Sequence, residues 1–118
     1  MATLSRQQAM EIWRRALSDN VRSAAPDLSA RQMALLLTVY LSSPPHTVRG
    51  LARTLNISKP AVTRALDTLG RMDLLRRKRD DEDKRNVLVQ RTVKGSVYLS
   101  EFADSIVMAA QTGQALAS

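Results

Sequence analysis

The sequence predicts a mainly α-helical chain carrying one small β-hairpin, and three observations lead to that class. Residues 47–66, TVRGLARTLNISKPAVTRAL, contain two helix starts separated by a single helix-ending asparagine. Residues 74–92 hold two short runs on either side of a charged DDEDKR tip, the second with β-like alternation. Most of the remainder is apolar at helical spacing, in stretches that open on Ser or Thr.

At 118 residues the chain is expected to form one domain, residues 1–118, able to bury a core without disulfides or metals. It contains no cysteine, which excludes a thiolate nucleophile, a thiol redox sensor, cysteine zinc ligands and a disulfide framework together. The longest apolar run, Met33 to Leu41, is interrupted by Thr38 and too short for a bilayer. No signal-peptide pattern opens the sequence, so a cytoplasmic protein without a membrane partner is expected.

In chain order, Ser5 caps a first helix expected to run to about Ala24. Ala9, Met10, Ile12, Trp13, Ala16, Leu17 and Val21 share one of its faces, which packs either on its own domain or on a partner chain. Ala24-Ala25-Pro26-Asp27 ends it, because the residue before a proline is pushed out of the α region. Ser29 and Gln32 make a capping box for the next helix, which is apolar nearly all round and so forms the centre of the core. Pro44-Pro45 stops that helix. The single histidine, His46, is expected in the connecting loop as a solvated residue without metal or catalytic role.

Thr47 then caps a short helix with Val48, Leu51, Ala52 and Leu55 on one face. Asn56 tolerates the left-handed conformation past a last helical turn, and Ser58 restarts the chain as a second N-cap. Pro60 falls in the first turn of the new helix, where a missing N–H costs nothing, and Val62, Ala65, Leu66 and Leu69 make its buried stripe. At about 100° per residue, Pro60, Arg64, Asp67 and Arg71 lie opposite that stripe, with Thr63 and Thr68 on the flanks. A short polar helix held out by a preceding one has the geometry that enters a DNA major groove; a plain helical hairpin with a solvated face is the blander alternative.

The runs Leu74–Arg79 and Asn86–Thr92 read as the two strands of a β-hairpin wing. Its tip carries four acids followed by Lys84 and Arg85. Some of these acids are expected to neutralise Arg76, Arg77 or Arg79, leaving Arg85 free to reach outward. Thr92 caps a last helix expected over residues 92–110, with Val93, Val97, Tyr98, Phe102, Ile106 and Ala109 or Ala110 near one stripe, and the final QTGQALAS reads as frayed.

The net charge of +7 is localised. Residues 49–94 hold 13 Lys and Arg against 6 Asp and Glu, so the whole excess lies there, and residues 47–66 hold four cations, Arg49 among them, and no acid. A polyanion is the expected partner.

LSARQMALLL, then GLARTLNISKPAVTRALDTLGRMDLL, then DKRNVLVQRTVKG resembles the multiple-antibiotic-resistance regulator (MarR) family of winged helix-turn-helix transcription factors over about residues 28–95. The wing pattern Asp-x-Arg followed by Thr-x-x-Gly is matched by Asp83, Arg85, Thr92 and Gly95. The resemblance implies a homodimer on a pseudo-palindromic operator, joined by its terminal helices, with Ile12, Trp13, Leu17, Phe102 and Ile106 as interface candidates. It places a 29–95 winged helix-turn-helix core between a 5–24 helix and a 92–110 helix. Ser58, Lys59, Pro60, Ala61, Thr63 and Arg64 then belong to the groove-facing part of the recognition helix, with Arg49, Thr68 and Lys84 as further contacts. Arg85 becomes the wing arginine of the minor groove and Asp83 the acid that braces the wing. Arg91 departs from the pattern, a cation where the family usually has leucine. Members often bind small aromatic acids, for which Trp13, Met33 and Tyr40 are lining candidates, although core packing explains them equally.

Two functions compete: a sequence-specific regulator binding double-stranded DNA, and a winged helix used for protein interaction or assembly, to which the acidic tip is suited. An enzyme is not expected, since one histidine, no cysteine, no Gly-rich phosphate loop and no carboxylate pair in an apolar setting leave no catalytic group. No cofactor or metal is expected either.

Overall fold

The computed structural model describes residues 3–117, with side chains from 3 to 112. The elements are α1 (Arg6–Arg22), α2 (Ala30–Leu41), β1 (His46–Thr47), α3 (Val48–Leu55), α4 (Lys59–Arg71), β2 (Leu75–Arg79), β3 (Val87–Arg91) and α5 (Val93–Ala117). No described helix is long and apolar enough to cross a membrane. The chain forms two compact units, Leu28–Val97 and one made of Met1–Asp27 with Tyr98–Ser118.

The Leu28–Val97 unit is a winged helix. Ser29 and Gln32 close the capping box of α2, each side chain accepting the other's backbone N–H. Met33, Leu35, Leu36 and Val39 are buried on α2, against Leu51 of α3, Val62, Leu66 and Leu69 of α4, and Leu74 and Leu75 at the root of the wing. The sheet has three antiparallel strands in the order β1-β3-β2. Leu75 faces Arg91 and Arg79 faces Val87 across the hairpin. His46 was expected in a loop, but it pairs with Val89, and Thr47 with Leu88, so this short connection becomes an edge strand. The His46 Nε2 lies 3.1 Å from the Ser42 carbonyl, so that nitrogen donates.

At the centre of this unit the Tyr40 hydroxyl gathers three backbone groups from two distant segments. It accepts the Thr92 N–H at 2.9 Å and lies 2.8 Å from the Leu74 carbonyl and 3.1 Å from the Thr92 carbonyl. Thr92 Oγ1 donates to the Asp73 carbonyl and accepts the Gly95 N–H, which caps the start of α5. Asp73 itself adopts a left-handed φ of 58°, and the following Leu74 N–H reaches back to Leu69 to end α4.

In the other unit, Ser5 and Gln8 form a capping box on α1, which ends at Arg22, two residues short of the expectation, where Ser23 turns extended. Ala16 is buried, but Met10, Trp13, Leu17 and Val21 remain exposed. Trp13 meets the edge of Phe102 with ring centroids 5.9 Å apart, and the Tyr98 hydroxyl and Asn20 amide both donate to the Pro26 carbonyl. Burial raises the Tyr98 pKa. The helix expected to end near Ala110 continues to Ala117. The supposedly frayed Gln111–Ala117 is rich in Gln and Ala, good helix formers, and holds no proline; Ser118 lies outside the described residues. Val93 and Val97 also depart from the expected stripe: both are exposed, while Tyr98, Phe102 and Ala109 form the buried line.

Candidate nucleic-acid interface

Two capping interactions set the angle between α3 and α4. Thr47 Oγ1 accepts the Gly50 N–H at 2.9 Å, and Ser58 Oγ accepts the Ala61 N–H at 3.2 Å. Between them Asn56 sits at φ 54°, ψ 47°, and Ile57 N–H bonds back to the Ala52 carbonyl, which folds the chain into a tight corner. Left-handed backbone costs an ordinary L-residue roughly 1–2 kcal/mol, and asparagine bears it with least strain after glycine.

This geometry buries Ala61, Val62, Ala65, Leu66 and Leu69 of α4. It leaves Lys59, Pro60, Thr63 and Arg64 exposed, with Ser58 at their head. Ala61 had been grouped with the groove-facing residues; it is 6% exposed and belongs to the core stripe, one turn before Ala65. Thr68 is half-buried, donating to the Arg64 carbonyl and accepting from Arg71 Nη2, so its hydroxyl is engaged within the helix. The exposed opening turns of α4 thus present two cations, one hydroxyl and the positive end of a helix dipole, without an acid before Asp67.

The wing arranges its charges differently from the expectation. Among the described residues, no tip acid pairs with Arg76, Arg77 or Arg79. Arg77 Nη2 instead reaches Asp67 Oδ1 on α4 at 2.7 Å. Strand alternation explains this: Arg77 shares a sheet face with Leu75 and Val89, both buried, and so is turned toward the helices rather than along the strand to the tip.

Arg85, expected to be free, is held by its neighbour. Asp83 Oδ1 accepts both the backbone N–H and Nε–H of Arg85, at 3.1 and 3.0 Å, and Oδ2 accepts from Nη2 at 3.1 Å. The turn is completed by Asn86 N–H to the Asp83 carbonyl, Asp80 N–H to the Asn86 carbonyl and Glu82 N–H to Asp80 Oδ1. The Arg85 guanidinium and N–H hold the Asp83 carboxyl below the usual carboxylate range, and the field of Arg49 on α3 adds to this. Lys84 is exposed beside Arg85 at the tip, and Arg49 is exposed on α3.

Sequence reasoning missed what Arg91 does. Its Nε donates to the Val39 carbonyl and its Nη2 to the Ser42 carbonyl, both at 3.0 Å, and its guanidinium carbon lies 5.8 Å from the centroid of the Tyr40 ring. The signal was present as a cation in an apolar slot, but its partners lie 52 and 49 residues away along the chain. The interface candidates in the other unit are mixed: Trp13 and Leu17 are exposed, Ile12 and Ile106 half-buried, and Phe102 buried within its own chain. Among the described residues, no group of three or more His, Asp or Glu is placed to hold a metal ion.

The MarR family model matches residues 28–87. A mutant of MepR from S. aureus bound to an oligodeoxyribonucleotide superposes with a TM-score of 0.79 at 23% identity, over 91% of this chain and 76% of that one. The transcriptional regulator PA4135 gives a TM-score of 0.70 at 24% identity, over 92% and 75% of the two chains. Tm0710 from Thermotoga maritima, also a transcriptional regulator, gives 0.67 at 20% identity, over 91% and 70%. No curated protein matches with significance.

Proposed function

Since the chain belongs to the MarR family, we propose that it is a transcriptional regulator that binds double-stranded DNA sequence-specifically, as a homodimer on a pseudo-palindromic operator. The observation that carries this reading is the exposed start of α4, where Lys59, Thr63 and Arg64 stand clear of a buried stripe with no acid among them. In this reading α4 enters the major groove, Arg64 contacts base edges, and Ser58, Lys59 and Arg49 contact phosphates. The wing follows the backbone and brings Lys84 and Arg85 to the adjacent minor groove. DNA-bound MepR, similar in fold, supports the direction of the proposal.

Dimerisation is part of the same reading and rests on the exposed apolar residues of α1, Met10, Trp13, Leu17 and Val21, together with Val107 and Met108 of α5. A bound aromatic acid is not part of it: Met33 is buried and the Tyr40 hydroxyl is committed to backbone groups, so both are accounted for by the core. The protein-interaction reading keeps one observation in its favour, the tip acids Asp81 and Glu82, which are exposed and pair with no cation among the described residues.

Selecting duplexes from a random pool and measuring affinity against salt separates the two. A regulator enriches a two-fold related sequence and shows log K falling linearly with log salt, with a slope near 0.9 per phosphate neutralised. No enrichment and no binding at low salt would leave the interaction module.

A further inference from the structure

Arg91 has no part in the DNA contacts just proposed, yet it makes two directed bonds to a distant element. Helix α2 has no basic residue in its own last turn. Its final carbonyls carry the negative end of the helix dipole and lack intrahelical donors. Arg91, the last residue of β3, supplies the missing cation from across the sheet, forking between the Val39 and Ser42 carbonyls while its plane lies near the Tyr40 ring. The next residue, Thr92, is held by the Tyr40 hydroxyl. A leucine at 91 would offer packing but no directional bond.

The fork lies at the root of the hairpin, and Arg85 lies at its tip. The five residues of β3 span roughly 16 Å, so a rotation of about 7° at the root displaces the end that carries the turn by about 2 Å. A displacement of that size is comparable to a third of a minor-groove width of about 6 Å.

We infer that Arg91 is a positioning residue that fastens the root of the wing to the C-terminal end of α2 and so aims Arg85 at DNA it does not itself touch. This deepens the DNA-binding reading and rests on it. The Arg77–Asp67 ion pair is a second tie, from β2 to α4, but both partners are substantially exposed, and such pairs contribute little. The Arg91 fork, also on an exposed residue, differs in gripping two carbonyls at a helix end at once.

The test uses the full chain in four forms: wild type, Arg91→Leu, Arg85→Ala and the double variant, with Arg91→Lys as a conservative control. Amide exchange of residues 75–91 is followed by NMR without DNA, and affinity for the selected duplex is measured with DNA. Arg91→Leu is expected to speed exchange in the β2–β3 amides about tenfold, relative to α4. It should weaken duplex binding about five- to tenfold in the wild-type background and about twofold at most in the Arg85→Ala background, where only Lys84 is left for the wing to aim. Arg91→Lys should restore neither in full, since a point charge cannot fork across two carbonyls. If Arg91→Leu fails to fold, the Lys variant carries the same comparison.

Unchanged exchange in the hairpin overturns the inference. So does a binding loss that adds fully to that of Arg85→Ala, which would make Arg91 a direct phosphate contact or a general stabiliser. A wild-type chain that binds no duplex overturns the regulator reading instead, and the exchange comparison then judges the fastening alone.

Discussion

The Tyr40 hydroxyl occupies the place that a side chain at residue 95 would need: a β-carbon built on Gly95 would lie 1.9 Å from it and 2.4 Å from the Leu74 carbonyl oxygen. The glycine of the Thr-x-x-Gly pattern is therefore required by packing, and its backbone is not left-handed. It lets the first turn of α5 approach the point where α2, the end of α4 and the wing are tied together.

Gly95→Ala is expected to destabilise the protein by about 1–3 kcal/mol, the usual range for overpacking a well-filled core. Tyr40→Phe removes one of the two clashing oxygens but leaves the Thr92 N–H without its acceptor, itself worth about 1–3 kcal/mol. The double variant should therefore recover only part of the loss. Urea unfolding, read as a shift in midpoint at constant slope, decides the matter, and a Gly95→Ala midpoint equal to wild type would show that the Tyr40 contact is not maintained in solution.

Arg64→Ala is expected to cost about 1–3 kcal/mol on the preferred duplex and much less on random sequence, because a base-edge contact discriminates and a phosphate contact does not. Titrations on cognate and scrambled duplexes provide the comparison. Equal losses on both would reassign Arg64 to the backbone.

The Asp83–Arg85 tie should be insensitive to mild acid. A carboxylate depressed in the folded state contributes fully above its unfolded pKa, about 3.9, and its contribution disappears as pH falls through the lower folded value. The Arg85 side-chain NMR signals should therefore hold steady from neutral pH to about 4 and move only below it. A midpoint at or above 3.9 would mean the pair is open in solution. On DNA, Arg85→Ala should weaken binding and flatten the salt slope by about 1 with little change in sequence preference. Asp83→Ala should weaken binding if Asp83 shapes the turn, and strengthen it if Asp83 merely repels phosphate.

For the homodimer, sedimentation at tens of micromolar should show a dimer that Trp13→Asp or Leu17→Asp dissociates, since a charge at an exposed apolar site is tolerated in a monomer but not in a contact. A wild-type chain sedimenting as a monomer, alone and on DNA, removes the dimer from the proposal.

The local grammar of the chain was readable because it acts over three or four residues. Thr47, Asn56 and Ser58 close helices α3 and α4 through bonds to neighbours in sequence, and the Ser29–Gln32 box does the same for α2. The motif resemblance puts Ala61 at the groove, whereas helical spacing aligns it with Ala65, and both are buried. The role of His46 and the partners of Arg77 and Arg91 stayed hidden for a different reason. Each depends on which way a strand faces and on which helix end it meets, and those partners are ten to 52 residues distant. Charge complementarity suggested that nearby acids and arginines would pair, but a hairpin separates the two faces of one strand more effectively than it separates distant elements.

The strand order β1-β3-β2 has a consequence for solubility. With β3 in the middle, the sheet exposes its hydrogen-bonding edges on β1, only two residues long, and on β2. An open edge invites pairing with another chain, and proteins discourage this with short edges and with lysine or arginine along them. Here β2 reads Leu75-Arg76-Arg77-Lys78-Arg79, four successive cations. With Arg77 paired to Asp67, two such strands brought edge to edge would still set six positive charges against one another, so the residues that give the wing its basic character also oppose assembly of free copies through their sheets. Replacing Arg76 and Lys78 by neutral β-formers would remove that repulsion and expose the chain to edge-to-edge aggregation, above all at high salt, where the charges that remain are screened.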